Sequence, residues 1–515
     1  MIKTEVLVIG SGLAGCITAL KAADLGLDVL LLTPKTAPDD CSTGRAQGGI
    51  IYKGEKDSKD LLINDIYEAG AKIGYMPSIK QLAELGTKCI EEVFFKRLQI
   101  PFDKDTSGEY DLTSEGAHSI PRIIHVSDFT GFKIYEHVIK AVSNHPNIKL
   151  YKDCLAIDLL TTGHSSLEPQ DQYKQQCCFG VHAFNIATNK VFTVLAKETV
   201  IATGGIGGLY LHTTNPESSR GDGIAMASRA GARIVNMEYV QFHPTAIYHP
   251  SKSRLLLSES LRGEGAILIN DLGKEFMHEY HPLKNLAPRD ITARAIYDQM
   301  LKYKKNFVYL DISHKNPKWL KKRFPLITKI CEEYGYDITK EPVPVVPAAH
   351  YSCGGILVDL KGNTNICNLR AVGEVACSGA HGANRLASTS LLECLVWGVA
   401  CAEDIAAKRK ENFNPPQIMK WQYEHEPMDL ALIYQDWQTL RNTMWNYVGP
   451  VRSHVRLQRA NSILTNLKSE VENFYDKAEL SEELIGLRNG IEAATTVLQS
   501  ALKNTQSIGC HYYVR

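Results

Sequence analysis

The apolar run EVLVIG, residues 5–10, has the length of a strand and no polar alternation, the pattern of a strand buried on both faces. Apolar positions at helical spacing follow through Ala23, and DVLLLT (28–33) is the next strand-length run. Strand, helix and strand in that order form a βαβ unit and imply a parallel sheet. Two more strands ending in glycine, ETVIATGG (198–205) and LRAVGEVACSG (369–379), extend the pattern. The second runs into a helical segment, STSLLECLVWGVACAEDIAAKRK (388–410). Residues 237–351 are rich in His, Pro and Arg and mix helix, strand and turn signals, which reads as an inserted α+β domain. Pro342, Pro344 and Pro347 stiffen its exit. Beyond ENFNPPQ (411–417) the spacing is helical almost to the end. The expected division is a discontinuous α/β domain over 1–236 and 352–415, an insertion over 237–351 and a helical bundle over 416–515.

Length and charge narrow the class without naming a chemistry. At 515 residues the chain exceeds one hydrophobic core, consistent with two or three domains. Lys+Arg and Asp+Glu both number 57, so no basic excess points to nucleic acid. The opening MIKTEVLVIGSG goes straight into a strand, so no signal peptide is expected. The run LLECLVWGVACAEDIAA is broken by Glu393, Glu403 and Asp404 and does not read as a membrane span. Thirteen scattered cysteines without a CxxC argue against a disulfide framework or an iron–sulfur or zinc site. They fit reduced thiols and a cytoplasmic location.

The chemistry begins with GSGLAG, a strict G-x-G-x-x-G after a strand and opening a helix. Gly10 permits the tight turn, Gly12 lets a pyrophosphate approach the backbone, and Gly15 allows close helix–strand packing. The phosphate charge then meets a helix N-terminus. A Rossmann-like dinucleotide domain follows. The second strand ends in Thr33-Pro34-Lys35, where an acid for the ribose hydroxyls is expected. Hydroxyl or backbone groups must hold the ribose instead, which weakens the case for a plain NAD dehydrogenase. The segment CSTGRAQGGI (41–50) packs small, hydroxyl and glycine residues with one Gln: Ser42, Thr43, Gly44, Arg45, Ala46, Gln47, Gly48 and Gly49. Such a string can bring backbone N–H groups up to a flat ring. A surface turn would account for Gly48-Gly49 but not for the rest.

Taken together, GSGLAG, AQGGI, ATGG, GDGIAMA, QFHPTA, APRD, HYSCGG and HGANRLASTSLLECLVWG resemble the flavoproteins of the succinate dehydrogenase and fumarate reductase superfamily, over nearly the whole chain. Within it the resemblance is to the L-aspartate oxidases. It is carried by TSEGAHSIPRIIHVSDFTG (113–131), LRNTMWNYVGPVRS (440–453) and the terminal GCHYYVR. Ile508 and Pro34 depart from that pattern. The respiratory subunits carry a flavin-bonded His where Ser42 stands, so the resemblance implies non-covalent FAD.

The resemblance further implies a substrate site of Glu115, His243, Arg289, His350 and Arg385, with Thr245 offering a hydroxyl. Flavin contacts are implied for Ser11–Ala14, for 42–49 and for Asp222, Glu374, Ser390 and Leu391. The residue types suit a C4 dicarboxylate with an ammonium. Arginine forks bind carboxylates bidentately, histidines donate to the same oxygens, and one acid holds the ammonium. Asp222 could equally be an N-cap. His118 and His125 read as structural. Arg289 is expected just before a helix capped by Asp290, where the helix N-terminus and Arg294 would lower its pKa. The resemblance gives Arg289 the proton-transfer role.

The implied reaction is oxidation of L-aspartate to iminoaspartate, with O₂ giving H₂O₂ or fumarate giving succinate. That step opens NAD synthesis and has quinolinate synthase downstream. The alternatives are a soluble fumarate reductase or succinate-oxidising flavoprotein, and a non-enzymatic flavoprotein subunit of a larger complex. The insertion is expected to close over the flavin as a lid.

Overall fold

The computed structural model describes residues 1–409, 413–419, 421, 426–427 and 429–515. Positions 410–412 therefore lie outside the described residues, and with them the start of the expected ENFNPPQ linker. So do 420, 422–425 and 428 at the head of the expected helical bundle.

The first strand, β1 (Ile2–Ile9), is buried over its second half, and α1 (Leu13–Asp24) and β2 (Val29–Leu32) complete the βαβ unit. β1 pairs in parallel with β2, and β2 in parallel with β3 (Ile148–Tyr151). The sheet continues through β4 (Cys154–Thr161), β5 (Cys178–Asn185) and β6 (Lys190–Ile201), in the order β3-β2-β1-β6-β5-β4. Parallel pairing holds between β1 and β6, but β4–β5 and β5–β6 are antiparallel. The sheet is thus parallel where the nucleotide-binding units lie and mixed beyond them. A short strand, Leu369–Ala371, pairs in parallel with the C-terminal end of β6. Helix α2 (Asp222–Arg229) follows later in the chain.

A separate four-stranded antiparallel sheet is built from β7 (Val240–Ile247), β8 (Ile267–Ile269), β9 (Val308–Asp311) and β10 (Val343–Ser352), in the order β7-β10-β9-β8. The register between β7 and β10 jumps from His243↔Ala348 to Ala246↔Val346, three steps on one strand against two on the other. This bulge bends β7 at Pro244 and re-aims the side chains beside it. Helix α3 (Arg289–Tyr303) packs on β7.

The long helix α4 (Ser390–Ala407) lies against α1. Three helices close the chain: α5 (Leu430–Val448), α6 (His454–Tyr475) and α7 (Glu482–Lys503). Each begins at a capping side chain: Asp429 accepts from the Ala431 N–H, Ser453 from Arg456 and Ser481 from Leu484. Leu440, Met444, Leu457, Leu464, Leu487 and Ile491 fill the space between them. Among the described residues no helix is long and apolar enough to cross a membrane. All thirteen cysteines are free thiols.

Candidate active site

A long cavity opens at the C-terminal ends of β1 and β2 and runs to the sheet formed by β7 and β10. Its near end is the glycine turn. Gly10 has φ +109°, and a Cβ there would meet the Ala202 carbonyl oxygen at 2.3 Å, so only glycine allows the chain to turn at this point. Helix α1 starts with Gly12 at its N-cap, no side-chain cap and no acid in its first turn. The Leu13 N–H donates to the Thr43 hydroxyl at 3.1 Å, and the rest of that first turn, with its partial positive charge, faces the cavity and suits a phosphate. The Ser11 and Thr33 hydroxyls stand 2.8 Å apart at the end of β2, where the acid was missing.

Gly10, Ser11, Gly12, Leu13, Ala14, Ser42, Thr43, Arg45, Ala46, Gln47, Gly48, Gly49, Asp222, Glu374, Ser390 and Leu391 all line the cavity. Gly15 and Gly44 do not. A Cβ on Gly15 would sit 2.0 Å from the Gly10 carbonyl oxygen and one on Gly44 2.1 Å from that of Pro38, so both act through packing. Asp222 is the first residue of α2, after Gly221 at the cap, so it is not itself the N-cap. Its oxygens accept from Arg220 Nε at 3.2 Å and Asn489 Nδ2 at 2.8 Å. Glu374 accepts from the Ser352 N–H at 2.9 Å, and burial pushes its carboxyl up to about 7. An open helix terminus, a glycine approach and an acid at the far strand end suit a flavin dinucleotide.

At the other end of the same cavity stand Glu115, His243, Arg289, His350 and Arg385. The histidines lie on neighbouring strands, their ring centroids 5.2 Å apart. His243 Nδ1 accepts from the Thr245 N–H at 3.2 Å, which leaves Nε2–H as the donor. His350 Nδ1 shares a 2.8 Å hydrogen bond with the Thr214 hydroxyl. Both are held well below the usual histidine range, first by burial and then by the nearby arginines, so both are neutral.

Arg385 is buried, and burial, then Arg289, lowers its pKa. Its guanidinium lies 4.5 Å from the Tyr351 ring centre and donates at 3.3 Å to Gln241 Oε1 and Ser390 Oγ, while Nε has no partner. Among the described residues no carboxylate pairs with it. A buried cation without an anion is a site prepared for one.

This arrangement has known counterparts. A family model described as FAD binding domain matches residues 5–391, and one described as fumarate reductase flavoprotein C-term matches 437–514. The L-aspartate oxidase 1 of Ralstonia nicotianae is 42% identical over 513 residues, which span 99% of this chain and 94% of that protein. The chain belongs to the L-aspartate oxidase family. The L-aspartate oxidase of Yersinia pestis is 40% identical over 99% of this chain and 95% of its own. A solved quinol-fumarate reductase with menaquinol superposes with a TM-score of 0.87 at 25% identity, covering 100% of this chain and 92% of that one. The cofactor is FAD.

For a chain of the L-aspartate oxidase family, three expectations need correction. Thr245 does not line the cavity, because the bulge turns its hydroxyl to the Leu257 carbonyl at 2.9 Å; it orients His243 instead. Asp290 is not the cap of α3: Pro288 holds that position and Arg289 is the first helical residue. Arg294 pairs with Asp290 at 2.9 Å and lies 4.6 Å from the Tyr512 ring centre. Nor is Arg289 made less basic. Burial does work to lower its pKa, but Glu259 and then Glu115 outweigh it and the net shift is upward.

Glu259 was not anticipated. Its Oε2 accepts from Arg289 Nε at 2.5 Å, and its Oε1 lies 3.8 Å from Arg262 Nη2. Burial opposes its charge, yet the two arginines hold it below the usual carboxylate range. Arg262 is buried and donates to the Asn285 carbonyl at 2.7 Å. The only sequence signal was an acid and an arginine three apart in SESLRG (258–263). His125, beside Asp103 at 3.3 Å, keeps its structural reading.

Proposed function

We infer that this protein oxidises L-aspartate to iminoaspartate, with O₂ or fumarate as the electron acceptor, and so opens the synthesis of NAD. One observation carries the reading. Two largely buried arginines and two neutral histidines face the same end of the cavity as Glu115, an acid without an ion pair among the described residues. Two carboxylates and an ammonium are the complement of that set.

FAD, when bound, supplies the two-electron acceptor for the hydrogen on the substrate's Cα. The protein's part is to bind, orient and handle protons. Arg385 takes one carboxylate through its fork, with His350 beside it. His243 Nε2–H and Arg289 hold the other. Glu115 Oε1 faces the ammonium and receives the proton it gives up. When fumarate is reduced, Arg289 gives a guanidinium proton to the substrate and regains it along Glu259 and Arg262. Holding the reacting carbon still is the entropic part of the acceleration.

Ser42, whose Oγ accepts from Asn215 Nδ2 at 3.2 Å, cannot form the histidyl bond of the respiratory enzymes, so FAD is held non-covalently. Residues 237–351 serve as the cap, beside the FAD-binding parts 1–236 and 352–415 and the helical domain 416–515. Iminoaspartate hydrolyses readily, which favours prompt use by quinolinate synthase in the same cytoplasm.

A fumarate reductase that only oxidises succinate would have no use for Glu115, since succinate carries no ammonium. Peroxide release separates the two readings. The holoenzyme in air is expected to form H₂O₂ with L-aspartate and far less with succinate; the reverse preference would replace the proposed function with the alternative.

A further inference from the structure

Glu115 sits on a loop between the short strands Leu112–Thr113 and Ile123–Ile124, and a glutamate has three rotatable bonds with which to miss its target. Its carboxylate is nevertheless confined on two sides. A Cβ on Gly48 would stand 2.7 Å from Oε1, so the backbone of the flavin loop borders that oxygen. The other oxygen, Oε2, accepts from the Ser388 hydroxyl at 2.7 Å.

Ser388 is an unusual residue to find there. It is buried and has φ +60°, a conformation that suits glycine or asparagine better than serine. Its carbonyl accepts from the Ile51 N–H at 3.3 Å. The preceding carbonyl, of Ala387, accepts from His118 Nε2 at 3.0 Å, so the Arg385–α4 loop grips the Glu115 loop at two successive residues. His118 donates through Nε2 and so keeps its lone pair on Nδ1, a buried atom with no partner. Burial also holds it below the usual histidine range. A neutral imidazole adds no cation to the one, Arg289, whose charge Glu115 already feels. Strain at a residue whose side chain meets a functional group is where a positioning role is found.

We propose that Ser388 is a specificity-determining positioning residue, which fixes the Glu115 carboxylate so that a dicarboxylate with an α-ammonium is preferred to one without. The proposal rests on the assignment of Glu115 to the ammonium. The carboxylate keeps one oxygen on the serine and turns the other to the substrate nitrogen. Without the hydroxyl it has rotamers to explore, and only a substrate with an ammonium loses by that.

Ser388→Gly isolates the hydroxyl, because glycine adopts φ +60° without strain and the loop keeps its path. The readouts are the KM for L-aspartate oxidation and the KM for fumarate reduction by the same holoenzyme. A lost hydrogen bond to a charged group predicts a rise of about tenfold in the aspartate KM. The fumarate KM should move by less than about a fifth of that factor, with Tm equal or higher. The ratio of the two KM values decides, since general loosening of the site moves both. An aspartate KM that stays put, or two KM values that rise together, would overturn the role of Ser388. A wild-type protein inactive on L-aspartate would instead contradict the proposed function.

Discussion

Arg289 begins a helix at the end where a cation is disfavoured by a few tenths to about 1 kcal/mol. The position is tolerable because Glu259 lies 2.5 Å from its Nε and restores the charge that burial and the helix oppose. An arginine held this firmly protonated is a poor base and a good carboxylate ligand; as a proton donor it needs a route for reloading, and Glu259 is the group placed to provide one. Glu259→Gln keeps the shape and removes that capacity. Turnover in fumarate reduction is expected to fall by about two orders of magnitude, the usual weight of a proton-transfer group, with the flavin absorbance retained. A variant with near-normal turnover would remove Glu259 from proton transfer.

At the scale of elements, what was legible in the sequence is what depends on neighbours along the chain. β1, α1 and β2 follow from an unbroken apolar run, helical spacing and a second run, and the Gly10 turn follows from its glycines. The approach of His243 to His350 depends on β7 pairing with β10 across more than a hundred residues, which no local pattern states. Thr245 shows the limit from the other side. Two residues along a regular strand it would share a face with His243, but the bulge at Pro244 breaks the alternation and sends its hydroxyl to Leu257. Glu259 escaped for the same reason as the histidine pair: its partner lies thirty positions on, brought back by α3. The mixed sheet, too, arises from the pairing of β4, β5 and β6 rather than from any one strand's composition.

Across the whole molecule, a reactive end assembled from several distant segments has to be held by burial, and burial of histidines makes stability depend on pH. His243 is kept neutral by burial and the cations around it, and His212, beside Arg254 Nε at 3.2 Å, is pushed down to about 3. Their folded pKa values lie below the unfolded value of about 6.5, so the unfolded chain binds protons that the folded chain refuses. The stability they contribute is complete above about pH 6.5 and drains away as pH falls toward the folded values. Each contributes a slope of up to about 1.4 kcal/mol per pH unit in that window. Glu374, held up to about 7, has the opposite slope in this window, but His243, His212 and His350 together outweigh it. Urea unfolding should therefore show a midpoint that drops between pH 6.5 and 5; a midpoint that stays flat or rises would mean that these histidines are charged or exposed in the folded state.

The central claim is that one cavity holds FAD at its glycine turn and an amino-dicarboxylate at its arginine–histidine end. The visible spectrum of the purified holoenzyme, recorded anaerobically before and after L-aspartate, tests it in one step. Bleaching of the bound flavin by L-aspartate, much faster than by succinate, is the expected result. A flavin that stays oxidised in L-aspartate would contradict it.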